Sequence, residues 1–496
     1  MSLKNMNVIN KTISQKHKLL LSGLLTIMLI FGSGCEKFLE QYPQDSLTEQ
    51  QFFRTKEDAN AAIISVYDQL QDCVDKFLVW GEVRADLTIP VTRKNDYTWP
   101  YELTYQTDLW ASRWGDVYQV ISGANIVMLR VPPITQLDNR LTKTESDVIL
   151  AEAHFLRALA YFYLVRTFGD VPLVLEAPST DQINFNIPKS SAAVILSQIE
   201  SDLNIAEASL PVQYDSNLKT RGRATKGAVN SLKADVFLWQ GKYDQAAAEA
   251  KKVIDNKTLY ELVLGANWFD IFSVKNTREG IFEVQFDALQ RETNSLSNVT
   301  GAFLVNSSFS RLFEDSANPD KVRGLDATYN TATNGKIFWK TVGLSTADLR
   351  RASGDANFIV YRLADVMLMR AEALSHLDDD AAKAEAVNLL NIVRTRANLP
   401  AYDINTISTD SNTLVDLILN ERAMELSMEG KRWFDLVRIG KNGRPEVLID
   451  KIVTSRLVSE RALTRARVAD PRSWYLPFHR DELAANPSLV QNPYYK

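Results

Sequence analysis

Between residues 225 and 255 the apolar side chains recur at spacings of three and four. Val229, Leu232, Val236 and Trp239 fall on one face of a helix, with Thr225 where an N-cap belongs. Gly241 lets the chain turn, and Ala246, Ala250 and Val253 form a second stripe. The small Ala234 and Ala246 predict close approach of the two helices. A hairpin of this size cannot bury its own apolar face, so further pairs must stack on it. The same period recurs along the chain. Ala59, Ile63, Val66 and Leu70 predict a helix from Lys56 to Gln71, and Val117, Val120, Ile121, Ala124 and Met128 one from Trp110 to Val131. A longer helix is predicted from Thr144 to Thr167, closed by Gly169 and Pro172. Three more follow, from Phe358 to Leu374, from Ala381 to Ala397 and from Thr413 to Arg438.

The order small residue, Phe237, Gly241, Tyr243, Ala246 is that of a tetratricopeptide unit. Two stretches break this pattern. Residues 85 to 110 are rich in Pro, Thr, Asn and Asp, and four of the nine tryptophans fall between residues 77 and 114. Trp110 and Trp114, four apart, are assigned to the core, whereas Trp99 and Tyr101 flank Pro100 in a predicted loop and are candidate ligand contacts. Residues 256 to 345 contain one alternating run, Ile281 to Phe286, which predicts a strand, followed by a long polar insertion with Tyr329, Phe338 and Trp339. Long irregular insertions on a rigid scaffold are where binding usually resides.

Composition is that of a folded protein, 45% hydrophobic and 24% charged. Lys plus Arg number 56 against 61 acids, a net charge of -5. The first 34 residues hold four lysines and no acid, so without them the balance is 52 against 61, or -9. A chain this acidic has no electrostatic reason to seek nucleic acid. Those 34 residues read as lysines, an apolar run from Leu19 to Phe31, and Gly32-Ser33-Gly34 before Cys35, the order of a secretory signal. Small residues before a Cys resemble a bacterial lipobox, here with Gly32 where a Leu-like residue is usual. Cleavage before Cys35 and lipid attachment to it are therefore expected, residues 35 to 50 forming a tether and 51 to 496 a single helical domain. The other cysteine, Cys73, has no partner for an internal disulfide and is expected to be a buried structural thiol.

Catalytic patterns are missing from the chain. The four histidines form no HExxH, and neither a G-x-S-x-G elbow nor a P-loop occurs. His154, among apolar neighbours, is expected to be a hydrogen-bonded core histidine. No metal, cofactor or catalytic residue is expected. The acids and arginines between Asn420 and Arg438 predict buried ion pairs between helices, such as Glu421 or Glu425 with Arg432 or Arg438.

Ordered pieces of the chain resemble the SusD/RagB family of Bacteroidetes surface lipoproteins. They are Cys35 with Phe38-Leu39, Trp80 to Asp86, Ala151 to Leu173, Tyr361 to Leu374, Glu421 to Arg438, and Asn486-Pro487 with Gln491 to Tyr495. The resemblance implies a mostly α fold, a scaffold of four tetratricopeptide-like hairpins with long irregular loops and a few short strands. It implies a non-catalytic outer-membrane lipoprotein that captures oligosaccharide and delivers it to a SusC-like TonB-dependent transporter. A peptide-capturing member of the family, or a helical scaffold binding only protein, is the alternative. In the family, loop aromatics and polar side chains surround the ligand. Here that directs attention to Trp99, Tyr101, Tyr329 and Trp339, with Arg93 and Asn95 as polar partners.

Overall fold

Helix boundaries follow local chemistry. In α1 (Lys56–Gln71) Thr55 accepts from the Asp58 N–H and Asp58 accepts from the Thr55 N–H in return, a capping box. α3 (Lys143–Phe168) starts on the same device at Thr142 and Glu145 and stops at Gly169, whose φ of 76° ends the helix. Between them lies α2 (Gly115–Arg130). It begins five residues after the predicted start, because Arg113 is extended (ψ 123°) and confines Trp110 to a single 3-10 turn. Trp114 is buried as expected; Trp110 is only half-buried, beneath the Lys76 ammonium.

The computed structural model describes residues 52–92, 98–178, 186–315, 317–345, 349–352 and 354–495. Leader and tether lie outside these residues. From Thr55 onward the chain forms one compact unit. α4 (Ala192–Ser209) lies against α3, and α5 (Lys226–Trp239) against α6 (Tyr243–Ile254). Thr225 caps α5 and Gly241 (φ 72°) makes the turn between α5 and α6, as the pattern predicted. α7 (Leu363–Ser375) pairs with α8 (Asp380–Arg396). The four pairs α1–α2, α3–α4, α5–α6 and α7–α8 stack through α2 on α3, α4 on α5 and α6 on α7, the tetratricopeptide-like scaffold that was expected. His154 Nδ1 lies 2.8 Å from the buried Asp202 carboxylate, consistent with a structural histidine.

Two further helices differ from the periodicity. Phe358 to Arg362 is strand, not helix. It is β6, paired antiparallel with β2 (Gly280–Val284), and both strands are buried along their whole length. A short apolar run reads equally as buried strand or buried helix until its partner is known. The predicted helix from Thr413 to Arg438 is two, α9 (Ser411–Leu426) and α10 (Arg432–Lys441). Between them Met428 and Gly430 take φ of 61° and 70°. The buried Glu82 carboxylate accepts the Met428 and Lys431 N–H groups at 2.8 and 3.3 Å and fixes this turn. A side chain at Gly81 would come within 1.8 Å of the Gly430 carbonyl, so the approach depends on glycine.

The polar insertion is more regular than expected. β1 (Thr88–Pro90), β3 (Phe303–Val305), β4 (Tyr329–Ala332) and β5 (Gly335–Phe338) form an antiparallel sheet in the order β1-β3-β5-β4. Thr88 faces Val305 and Leu304 faces Ile337. The two irregular regions are thus joined through β1 and β3.

Ion pairs are buried as predicted, but between other partners. Arg362, fully buried, binds Glu279 (2.6 Å), Glu425 (2.5 Å) and Glu429 (2.9 Å). Arg396 joins Glu279 and Glu425, Arg323 joins Asp320, Glu421 and Glu425, Arg394 joins Glu421, and Lys340 joins Glu429. Five cations therefore face five carboxylates away from water. Arg432 pairs instead with Asp86, and Arg438 with Glu372 and Asp435. Spacing along one helix could not identify partners contributed by β2, β6 and α8.

Removing one member of such a cluster strands the others. Arg362→Met should lower unfolding stability by about 3–5 kcal/mol in denaturant titration. Arg140→Ala, on an exposed pair with Glu57 and Asp138, should barely move the midpoint. Acid should act through the same groups. Burial raises the Asp365 pKa, but Lys431 and Arg422 outweigh it and hold the carboxyl at about 2 against an ordinary 3.8. A depressed folded-state value contributes stability above the unfolded value and loses it on acidification. The midpoint should therefore fall as pH drops from about 4 towards about 2.

Candidate functional site

The β-sheet module carries a cavity of about 470 Å³. One side is the helical turn Leu296–Gly301, which contributes Ser297, Asn298 and Thr300. β5 and the residues after it contribute Ile337, Phe338, Thr341 and Val342, and Phe303 comes from β3. The remaining wall contains Arg350, Arg351 and Gly354. Residues 342–345 lie beside residues 349–351 as an arm: Arg351 N–H donates to the Val342 carbonyl at 3.0 Å and Leu344 N–H to the Leu349 carbonyl at 2.8 Å. Gly343 allows this arm to lie on Trp339, since a Cβ there would be 2.4 Å from the indole nitrogen. Trp339 Nε1 donates to the Ser345 carbonyl at 2.8 Å.

The chemistry of the lining is mixed. Phe303, Ile337, Phe338 and Val342 offer apolar surface; Asn298 and Thr300 offer an amide and a hydroxyl group, while the Thr341 hydroxyl is buried without a hydrogen-bond partner. Arg351 is nearly buried, its Nη1 paired with Asp355 at 3.2 Å and its Nη2 donating to the Phe272 carbonyl, while its Nε has no acceptor. Burial lowers the pKa of this guanidinium, and Asp355 opposes that. Arg350 is exposed and makes no ion pair among the described residues; its guanidinium lies 5.4 Å from the Trp339 ring centre.

Of the residues singled out from sequence, Trp339 underlies this arm and is 3% exposed. It shares the module with Tyr329, which is 1% exposed and donates from its hydroxyl to Glu314 at 2.7 Å. Burial, then Glu314, raises the Tyr329 pKa. Tyr101 is buried with the Arg456 guanidinium 3.6 Å above its ring, and Trp99, on the short helix Thr98–Glu102, is half-buried. Arg93, Asn95 and Cys35 lie outside the described residues. The two aromatic regions adjoin where Val91 N–H donates to the Ala302 carbonyl at 2.9 Å, between the cavity residues Gly301 and Phe303.

Sequence reasoning missed Asn298, Thr341, Arg350 and Arg351. The available signal was the Arg350-Arg351 pair in a polar stretch close after an aromatic pair, Phe338-Trp339. A second cavity of about 420 Å³ lies between α9 and the helix Pro445–Thr454. Its charged groups are taken: Asp416 by Arg444, Asp450 by Arg465, and Lys451 by Asn420. Among the described residues no cluster of three or more His, Cys, Asp or Glu side chains could hold a metal ion.

Comparison with known proteins agrees with this architecture. Residues 317–495 match the model of the SusD family, and residues 37–238 match one described as starch-binding associating with outer membrane. SusD-like protein P38 of Formosa agariphila is 27% identical over 95% of this chain and 98% of its own length. Starch-binding protein SusD of Bacteroides thetaiotaomicron is 24% identical over 61% of this chain and 67% of its own. A crystal structure of a SusD superfamily protein from Bacteroides thetaiotaomicron superposes with a TM-score of 0.73 at 25% identity, covering 90% of this chain and 99% of that one. With a tetratricopeptide-like scaffold, an interposed sheet module and matching relatives along almost its whole length, the chain belongs to the SusD/RagB family of Bacteroidetes.

Proposed function

We propose that this protein is a lipid-anchored, non-catalytic capture protein of the outer membrane, which binds a saccharide in the cavity of the sheet module and delivers it to a SusC-like TonB-dependent transporter. The observation that carries this reading is the lining itself. A sugar offers an apolar C–H face and a rim of hydroxyls, and the cavity sets Phe303, Phe338 and Val342 beside Asn298 and Thr300. The printed name of one relative, a starch-binding protein, supports the same ligand class. Trp339, supporting the arm, and Trp99, still partly accessible, are the aromatic members of the proposed site, the second as an outlying contact.

Delivery follows from the architecture in this reading. The ion-paired scaffold is stiff, so the whole domain moves as a lid on the barrel while the cavity geometry is kept. Cys35 is the proposed lipid attachment point. Two or more acyl chains there hold the protein at the membrane, which one chain would not.

Calorimetry of the full chain in detergent against a panel of polysaccharides and peptides tests capture. One saccharide class should bind, with Asn298→Ala weakening it by about tenfold, the worth of a hydrogen bond at the upper end of its range. Binding of peptides alone, or saccharide binding indifferent to that substitution, would count against this assignment. Anchoring has a separate readout: cells fed labelled fatty acid should label the protein, and Cys35→Ser should lose the label.

A further inference from the structure

Among the described residues, the cavity lining contains two guanidinium groups and no carboxylate. Elsewhere the chain matches many of its buried arginines, among them Arg323, Arg362, Arg422 and Arg438, with carboxylates. Arg351 follows that pattern through Asp355, although its buried Nε–H is left without an acceptor. Arg350 does not follow it. No carboxylate among the described residues reaches it, and it makes no hydrogen bond there; the nearest feature is the Trp339 ring, 5.4 Å from its guanidinium carbon. The ring restricts one face of the guanidinium, while its edge stays free to form a two-pronged contact with an oxyanion. Asn298, exposed on the facing helical turn with its side-chain amide unengaged, supplies a donor suited to the same ligand.

Resting on the saccharide reading above, we propose that the cavity selects an acidic saccharide, one whose ring carries a carboxylate or a sulfate ester, and that Arg350 receives the anionic group. The saccharide's hydroxyls are met by Asn298, and its apolar face by Phe338 and Val342. An uncompensated positive charge at the cavity wall of a protein with net charge -5 gives an anion a local reason to enter despite the overall repulsion. Neutral sugars gain less from it, since their hydroxyls accept from the guanidinium without a charge of their own.

The full chain, isolated in detergent, is titrated with five probes: tetragalacturonate, its carboxyl-reduced form, a sulfated carrageenan tetrasaccharide, its desulfated form, and tetraglutamate. At least one acidic probe should bind about tenfold or more tighter than its neutral counterpart, the worth of a charge-assisted hydrogen bond. Which of the two does so distinguishes a carboxylate ligand from a sulfate. Its affinity should fall as sodium chloride rises from about 0.05 M to about 0.5 M. Arg350→Gln should bring the acidic probe down to the neutral one, and Arg350→Lys should keep most of the difference. Because Arg350 is exposed, these variants should melt with the wild type, checked by circular dichroism. Equal binding of acidic and neutral partners overturns the acidic selectivity and leaves saccharide capture standing. Selectivity that survives Arg350→Gln overturns the role of Arg350. Tetraglutamate binding as tightly, and as dependent on Arg350, overturns the saccharide assignment. Binding of none of these probes overturns both readings.

Discussion

Arg362 is held away from solvent by three carboxylates from two distant parts of the chain, and this arrangement governs the rest. Glu279 stands before β2, Glu425 on α9 and Glu429 in the turn after it. A guanidinium removed from solvent must be matched nearly completely, or the cost of desolvation exceeds what the fold can bear. The segments that carry these acids therefore have to arrive together. Ion pairs of this kind are weak evidence for stability, since well-packed apolar residues could do as well. They are stronger as a constraint on which elements meet. Here they hold β2, β6, α8 and α9 in one register.

The cavity inherits its geometry from that cluster. Lys340, buried, donates to the Glu425 and Ser427 carbonyls and to Glu429. Burial pulls its pKa down and Glu429 opposes that. It is flanked in sequence by Trp339 and Thr341, the first lying under the arm and the second lining the cavity. A wall of the cavity is thus pinned to the scaffold through one side chain. Trp268 extends the link, its Nε1 donating to Glu425 at 3.2 Å while its ring packs in a cluster with Trp339. The sheet module is consequently no loose appendage, although its sequence is rich in Asn, Thr, Ser and Gly.

How much of this could be read from sequence depended on whether a signal was local. Thr225, Gly241 and Gly169 act within one turn of chain, and the helices they bound were predicted nearly to the residue. Phe358 to Arg362 failed because strand identity came from β2, almost eighty residues earlier. The break after Leu426 failed because its cause, Glu82, lies far away in the chain. The ion-pair partners failed for the same reason, though the expectation of buried pairs was sound. Aromatic clustering located the two regions that adjoin through β1 and β3. It could not tell a ring whose face is occupied, as Arg456 occupies that of Tyr101, from one left open.

The contrast between Arg362 and Arg350 follows from where each can be solvated. A buried guanidinium with a missing partner costs several kcal/mol, so the fold supplies carboxylates to Arg323, Arg362, Arg422 and Arg438 and backbone carbonyls to Arg84, Arg221 and Arg456. An exposed one is solvated by water and needs no protein partner, which leaves it available to a ligand. Placing that availability at a cavity wall makes binding depend on exchanging water for the ligand's anion. The gain is modest for each contact and sensitive to salt. Such a site discriminates between ligands more than it holds them, which suits the capture and release proposed for this protein.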